Sequence, residues 1–305
     1  MYINDLPSHL QSSDLLMFAD DAKISKVISS VVDCFNLQLD LNNFYLWCEK
    51  WKLSLNLTKC FFMNFSLKKS RNITYNHCFN NSTIKSVKQI KDLGVYYTYN
   101  MSFELHITEI VKKSFQMLGF IKRIMKPFSD TKVLFTLYNS YIRSRLDYCS
   151  PVWSPNAQYL IDKIERVQRK FVKRLAFQNR MQYDDYTYIE LCNHFRLSTL
   201  EARRNVSDIT FFNKLLTNKI NSPPLTSSFY LSAPSIRRDT FTYSLRSGQS
   251  RNTTLFCTLK KSRLKVREAS YFPRTTALVN TLPDDIDIFD SNTTVLKCSV
   301  AVYFI

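Results

Sequence analysis

The sequence predicts an α+β fold, in which an antiparallel sheet with one long helix is followed by a mainly helical second half. In the first 100 residues, short apolar runs alternate with turn-forming residues around a single segment of helical periodicity. From Phe103 onwards, apolar residues recur every three or four positions, as they do on one face of a helix. The 305 residues, of which 45% are hydrophobic, suffice for two domains and a sizeable core.

The first predicted elements are two strands joined by a turn that contains adjacent aspartates. Residues 15–18 form the incoming strand, Asp20 and Asp21 lie at the tip, and residues 22–24 return. Residues 31–50 predict an amphipathic helix, whose apolar stripe consists of Val32, Phe35, Leu39, Asn43 and Leu46. Further strands are expected at 61–65, at 73–79 and around 93–96.

The second half predicts a series of helices. One spans 107–125, the next runs from a cap at Ser129 or Asp130 to residue 142, and a third runs from 156 to 174. The third has its apolar stripe at Leu160, Ile164, Val167, Phe171 and Leu175. More helix is predicted within 187–221, whereas 222–270 is rich in Ser, Thr and Arg and less regular. We therefore expect domains at 1–100 and 101–180, and a C-terminal segment at 181–305 that is helical and then irregular.

Charge and composition narrow the class of protein. A net charge of +17 and a pI near 9.5 favour a polyanionic partner, either nucleic acid or an acidic membrane surface. Residues 1–60 carry five Lys/Arg against seven Asp/Glu, whereas residues 102–180 carry fifteen against six. Phosphate-binding loops of the P-loop or Rossmann type are glycine-rich, and the three glycines of this chain exclude them.

Other features bear on compartment. No run approaches the roughly 18–20 apolar residues that span a membrane, and the first residues do not resemble a secretory signal. The eight cysteines show neither CxxC pairs nor zinc-ligand spacing, so we expect reduced thiols. The prediction is an intracellular protein of the nucleus or cytoplasm that is neither secreted nor membrane-bound.

The adjacent aspartates are the main candidate for metal chemistry. Asp-Asp alone usually reflects turn formation, because Asp favours such positions. Here the pair follows an apolar strand and precedes a second strand and a helix, and a rigid hairpin holds carboxylates in place for hard cations such as Mg²⁺. Two metals about 3.5–4 Å apart need a further carboxylate from another strand. Only Asp5 and Asp14 lie upstream.

The third predicted helix of the second half is the main candidate for binding a polyanion. Runs of charge usually form solvated surfaces, but no acidic residue follows Glu165 in this helix to pair with its cations. We expect this face to contact the backbone of a nucleic-acid duplex without sequence preference and with strong salt dependence. Its cations are Lys163, Arg166, Arg169, Lys170, Lys173 and Arg174.

Several motifs resemble the reverse transcriptases of LINE-type non-LTR retrotransposons, most of all the jockey-like group. Phe18-Ala19-Asp20-Asp21 is similar to that family's catalytic motif C. Trp51-x-Leu53-x-Leu55-Asn56-x-x-Lys59-Cys60 is similar to motif D, and Leu93-Gly94-Val95 to motif E. The residues from Tyr138 to Tyr148 and Pro151-Val152-Trp153-Ser154-Pro155 resemble the thumb and its sequel, and Tyr271-Phe272-Pro273-Arg274 resembles the family's tail.

The resemblance implies a partial polymerase palm at 1–100, a helical thumb at 101–180, and RNA template and DNA primer as partners. It implies that Asp20 is the principal Mg²⁺ ligand, that Asp21 is secondary, and that Lys59 approaches the phosphates of the incoming nucleotide. A solvated lysine ahead of a strand is the alternative for Lys59. The family's motifs A and B have no counterpart here, so we expect no autonomous polymerase activity. A non-enzymatic RNA- or DNA-binding module and a degenerate relic remain as alternatives.

Overall fold

The computed structural model describes residues 2–66, 73, 75–80, 82–125, 130–182, 185–229, 265–283, 286–290 and 292–304. The chain divides into two compact units, Met1–Ser102 and Phe103–Ile305. Ser129, the alternative helix cap, lies outside the described residues, as do residues 230–264 of the segment that was expected to be irregular.

The first unit contains a hairpin, one long helix and several very short strands. Strand β1 (Asp14–Phe18) pairs antiparallel with β2 (Asp21–Ser25), with Phe18 opposite Asp21, and helix α1 spans Val31–Lys50. Two 3₁₀ segments lie at Tyr2–His9 and Leu57–Lys59. The other strands are β3 (Phe61–Phe62), β4 (Cys78–Phe79), β5 (Ser82–Thr83), β6 (Lys85–Ser86), β7 (Gln89–Asp92) and β8 (Val95–Thr98).

Strand pairing differs from the single antiparallel sheet that the sequence predicts. Within the described residues there are four two-stranded sheets: β1–β2, β4–β5 and β7–β8 are antiparallel, whereas β3–β6 is parallel. The strands expected at 61–65 and 73–79 are only two residues long in the structure. Strand pairs of two residues gain little stability from their inter-strand hydrogen bonds, so packing against other segments decides where they form.

Helix α1 buries a different face from the one that the sequence predicts. Its N-terminus is closed by a capping box between Ser30 and Asp33. The predicted stripe is instead exposed at Val32, Phe35, Leu39 and Leu46. The core of this unit forms on another face of α1, with Leu6, Leu41, Phe44, Trp47, Cys48, Phe79 and Ile84.

Two buried polar contacts fasten this face of α1 to the segment before the hairpin. Trp47 Nε1 donates to Asp5 Oδ1 at 2.8 Å. Asp40, which is buried, accepts hydrogen bonds from the backbone N–H groups of Gln11 and Ser12 at 2.9 and 3.0 Å. Burial raises the pKa of Asp40, but these hydrogen bonds outweigh it and hold the pKa below its ordinary value. The donor Trp47 and the acceptor Asp40 on α1 therefore select the buried face and position the hairpin.

The described residues of the second unit form helices joined by turns and irregular segments, without strands. Two helices predicted as continuous are divided. The one expected through residue 142 passes into a π-helical turn at Tyr138–Arg143. The one expected at 187–221 ends at His194, because Arg196 adopts a left-handed backbone and Thr199 caps a new helix by accepting from Ala202 N. The helices are α2 (Glu104–Ile124), α3 (Thr131–Leu137), α4 (Ser144–Asp147), α5 (Ser150–Trp153), α6 (Gln158–Gln178), α7 (Tyr188–His194), α8 (Leu200–Leu216), α9 (Pro223–Thr226), α10 (Lys265–Glu268), α11 (Tyr271–Asn280) and α12 (Thr293–Tyr303).

Helix α6 packs against α2, α7 and α8. All five residues of its predicted apolar stripe are buried, which confirms that prediction. Tyr138 stacks on Phe171 with ring centroids 3.9 Å apart, and its hydroxyl donates to Gln168 at 2.8 Å. Trp153 is buried, whereas Trp51 is 40% exposed. His106 is buried against Trp153, with ring centroids 5.2 Å apart.

A buried ion pair joins α8 to the start of α11. Arg274 Nε donates to Asp208 Oδ2 at 2.8 Å, and both side chains are nearly inaccessible. The remaining N–H groups of Arg274 donate to the carbonyl oxygens of Pro151, Ser154 and Ala269 at 2.8–3.1 Å. Burial raises the pKa of Asp208, and Arg274 opposes that shift. The hydrogen bonds from Arg274 to Pro151 and Ser154 join the motif at 151–155 to the motif at 271–274, more than 100 residues later in the sequence.

Candidate nucleic-acid interface

The carboxylate turn is a two-residue hairpin loop. Ala19 and Asp20 form the loop, and Asp21 is the first residue of β2 rather than a tip residue. Ala19 has a φ of 53°, a left-handed conformation that normally favours glycine. Asp20 and Asp21 are both exposed, so the carboxylates are adjacent and accessible to a cation.

The described residues do not complete a metal site around this turn. No group of three or more His, Cys, Asp or Glu side chains within them is arranged to hold a metal ion. Of the two upstream candidates, Asp5 accepts the Trp47 indole N–H, and Asp14 stands opposite Ser25 at the open end of the hairpin. Asp20 and Asp21 are hard oxygen ligands suited to Mg²⁺, but two adjacent carboxylates do not enclose it.

Lys59 ends the 3₁₀ turn Leu57–Lys59, which the Asn56 side chain caps by accepting from Thr58 N at 3.1 Å. Its side chain is exposed. The assignment of Lys59 to nucleotide binding stays a prediction.

The six predicted cations of α6 lie on one side of that helix. Arg166, Arg169, Lys170 and Lys173 are exposed, and Lys163 and Arg174 are half-buried. At 3.6 residues per turn, these positions fall on a single arc opposite the buried stripe. The structure therefore brings the six side chains together on one surface, which we call the cationic face.

Neighbouring helices hold several of these side chains in place. Lys163 Nζ donates to Thr108 Oγ1 of α2 at 2.7 Å, and Lys170 Nζ lies 5.2 Å from the centre of the Phe115 ring. On the opposite flank, the Arg169 guanidinium lies 5.0 Å from the ring centre of Tyr188 in α7. Because these contacts are cation–π or neutral hydrogen bonds, they orient the side chains without neutralising their charge.

Of the two acidic residues of α6, Asp162 is exposed and accepts from Gln158 Nε2 at 3.2 Å, whereas Glu165 is turned into the core. Glu165 accepts from the Tyr188 hydroxyl at 2.5 Å and from the backbone N–H of Glu201 at 2.7 Å. Burial, together with the charge of Glu165, raises the pKa of Tyr188 far above its ordinary value, so this hydroxyl stays protonated.

The structure adds two aromatic residues that the sequence argument overlooked. Tyr159 and Phe177 are exposed near the two ends of α6. They stand on the same line as the cations, at positions 159, 163, 166, 170, 173 and 177, with alternating spacings of four and three residues. This spacing was the signal that could have revealed them.

Comparisons with known proteins give a distant and partial likeness. Over 167 residues, which are 52% of this chain, the sequence is 26% identical to the RNA-directed DNA polymerase from mobile element jockey of Drosophila funebris. That match covers 18% of the polymerase. The chain is also 22% identical over 135 residues to the uncharacterized protein B0403.1 of Caenorhabditis elegans, covering 44% of this chain and 67% of that protein. No family model and no solved structure matches.

The similarity to the jockey polymerase agrees with the coarse form of the sequence resemblance, namely a partial likeness to a reverse transcriptase. As for membranes, none of the helices in the described ranges is both long and apolar enough to cross a bilayer.

Proposed function

We propose that this chain derives from the reverse transcriptase of a jockey-like non-LTR retrotransposon, and that the activity it retains is binding to nucleic-acid backbone through α6. The observation that carries the proposal is the cationic face, where six lysine and arginine side chains share one arc of α6 while Glu165 is bound within the core. Lysine and arginine side chains aligned on a helix neutralise phosphates and release counterions. The likeness to the jockey polymerase supports RNA and DNA as the polyanion, and therefore the nucleus or cytoplasm as the compartment.

For the first unit, we propose a part of a polymerase palm that cannot catalyse nucleotidyl transfer by itself. Phosphoryl transfer depends on positioning and on electrostatic stabilisation by metal ions. Asp20 and Asp21 would serve as Mg²⁺ ligands in a longer polymerase that supplies a further carboxylate. The exposed apolar side chains of β1 and α1, among them Phe18 and Phe35, support a role in which another layer of protein covers them.

The test of binding through the cationic face is a double charge reversal, Arg166→Glu with Lys170→Glu. Binding to a short duplex is measured over a range of salt concentrations. Both side chains are exposed, so the substitutions leave the core intact. For two lost phosphate contacts, the slope of log K against log salt flattens by about 1.8, and affinity at 50 mM salt falls on the order of 100-fold.

The matched control is Lys85→Glu with Lys88→Glu in the first unit. These two lysines are also exposed, and the control changes the net charge by the same amount. The proposal predicts a much smaller effect for the control. Equal losses in both double variants would mean that overall charge, rather than the cationic face, determines binding. An unchanged affinity in the α6 variant would overturn the proposal.

A further inference from the structure

The line of exposed residues on α6 is bounded by an aromatic side chain at each end. Tyr159 is 60% exposed and Phe177 is 64% exposed. Between them on this line stand Lys163, Arg166, Lys170 and Lys173. With a rise of about 1.5 Å per residue, the two aromatic positions are about 27 Å apart along the helix axis.

Neither aromatic ring serves the core of its unit. Most of each side chain faces solvent, and the ring contact recorded for Phe177 is with the Arg174 guanidinium, 5.9 Å from the ring centre. A single exposed aromatic side chain on a protein surface is common. Here two of them lie in line with a row of cations, and surfaces that bind unpaired nucleic acid combine cations with aromatic rings. The cations hold phosphates, whereas a ring offers a flat surface on which a base can stack.

We propose that Tyr159 and Phe177 stack on unpaired bases, so that the cationic face prefers a single-stranded segment to a fully paired duplex. A paired base presents no free face to a side chain outside the helix, and stacking therefore requires a strand end, a loop or an overhang. The length of the line matches the sites of about 4–16 nucleotides that single-strand-binding surfaces cover. This inference rests on the proposed function, because it adds base contacts to the same phosphate-binding helix.

The experiment compares Tyr159→Ala, Phe177→Ala and the double variant with the wild-type chain, using a single-stranded oligonucleotide of about 12 nucleotides and a blunt duplex of the same length. Each single substitution should weaken single-strand binding about 5- to 150-fold, the effect of losing one stacked base. Blunt-duplex affinity should stay unchanged. The salt slope on both ligands should also stay unchanged, since no cation is removed.

The matched control is Phe120→Ala, which removes an exposed aromatic from α2 at a position off the α6 line. The control should bind both ligands as the wild type does. Equal affinity of the wild type and the aromatic variants for the single strand, with binding still weakened by the Arg166→Glu and Lys170→Glu double variant, would overturn the stacking assignment and leave the proposed function in place. Losses of equal size on single strand and duplex would overturn it too, because they would mean that the rings support the fold or another contact.

Discussion

Helix α1 in the first unit and helix α6 in the second have nearly the same length but opposite surfaces. Helix α6 buries its apolar stripe completely and presents cations and two aromatic rings outward. Helix α1 buries one apolar face and leaves a second one exposed at Val32, Phe35, Leu39 and Leu46. A helix that is apolar on both sides is typical of a position between two layers of protein. The exposed surface of α6 is therefore suited to binding a polyanion, whereas that of α1 is suited to packing against another layer of protein.

The same contrast holds for the polar groups. Around α6, Tyr188 hydrogen-bonds to both Glu165 and Gln168 within the core, which keeps the Glu165 carboxylate away from the outer cations. At the hairpin, Asp20 and Asp21 are accessible, but the described residues bring no third ligand to them. A binding surface can function on one helix, while a two-metal site needs ligands from several strands. This difference explains why we propose that the chain binds nucleic acid without copying it.

The largest expected effect in this comparison is loss of the buried pair that stabilises the second unit. Arg274→Met leaves the Asp208 carboxylate buried without its partner, so the free energy of unfolding should fall by about 3–5 kcal/mol. Because burial raises the pKa of Asp208, the variant should recover stability as the pH falls, since the native state then takes up a proton that the unfolded chain does not bind. Chemical denaturation at several pH values measures both effects.

The control for this variant is Arg203→Met, which removes a half-exposed partner of Asp147 in the same unit. Because solvent reaches this pair, its loss should cost about 1 kcal/mol, clearly less than loss of the buried pair. Equal losses in the two variants, or a loss for Arg274→Met that does not depend on pH, would contradict the role assigned to the buried pair.

A smaller effect distinguishes the two faces of α1. Leu41→Ala should reduce the free energy of unfolding by about 2–5 kcal/mol, because Leu41 is 8% exposed in the core of the first unit. Leu39→Ala, two residues earlier and 59% exposed, should change it by no more than about 0.5 kcal/mol. Denaturation of the two variants side by side tests the assignment. A large loss for Leu39→Ala would show that the predicted stripe, not the observed face, is buried.

The sequence was sufficient to predict those elements whose structure depends mainly on residues close together in the chain. The hairpin, the length of α1 and the buried stripe of α6 all follow from apolar periodicity and turn chemistry. The buried face of α1 did not follow, because both faces are apolar and the choice depends on Asp5 and Asp40, whose partners lie in other segments. The break at Arg196 depends on a left-handed residue and on the cap at Thr199, which apolar periodicity does not encode. The Arg274–Asp208 pair depends on a contact between distant segments.

The same holds for the candidate functional residues: the sequence was sufficient to locate the cationic face but not to define a metal site. The cationic face needed only helical spacing and the absence of acids after Glu165, so the sequence located it. A metal site is defined by ligands from separate strands, and no local pattern could show whether Asp20 and Asp21 acquire a third carboxylate.

The most direct test of the central claim is a titration of the full chain against a DNA primer annealed to an RNA template, with Mg²⁺ and deoxynucleotides present. The same samples are assayed for binding and for primer extension. The account predicts salt-dependent binding without extension, and the same result for Asp20→Asn. Extension that is lost in Asp20→Asn would contradict it, because the carboxylate turn would then be part of a complete metal site. Absence of binding at low salt would contradict it as well, since the cationic face would not bind nucleic acid.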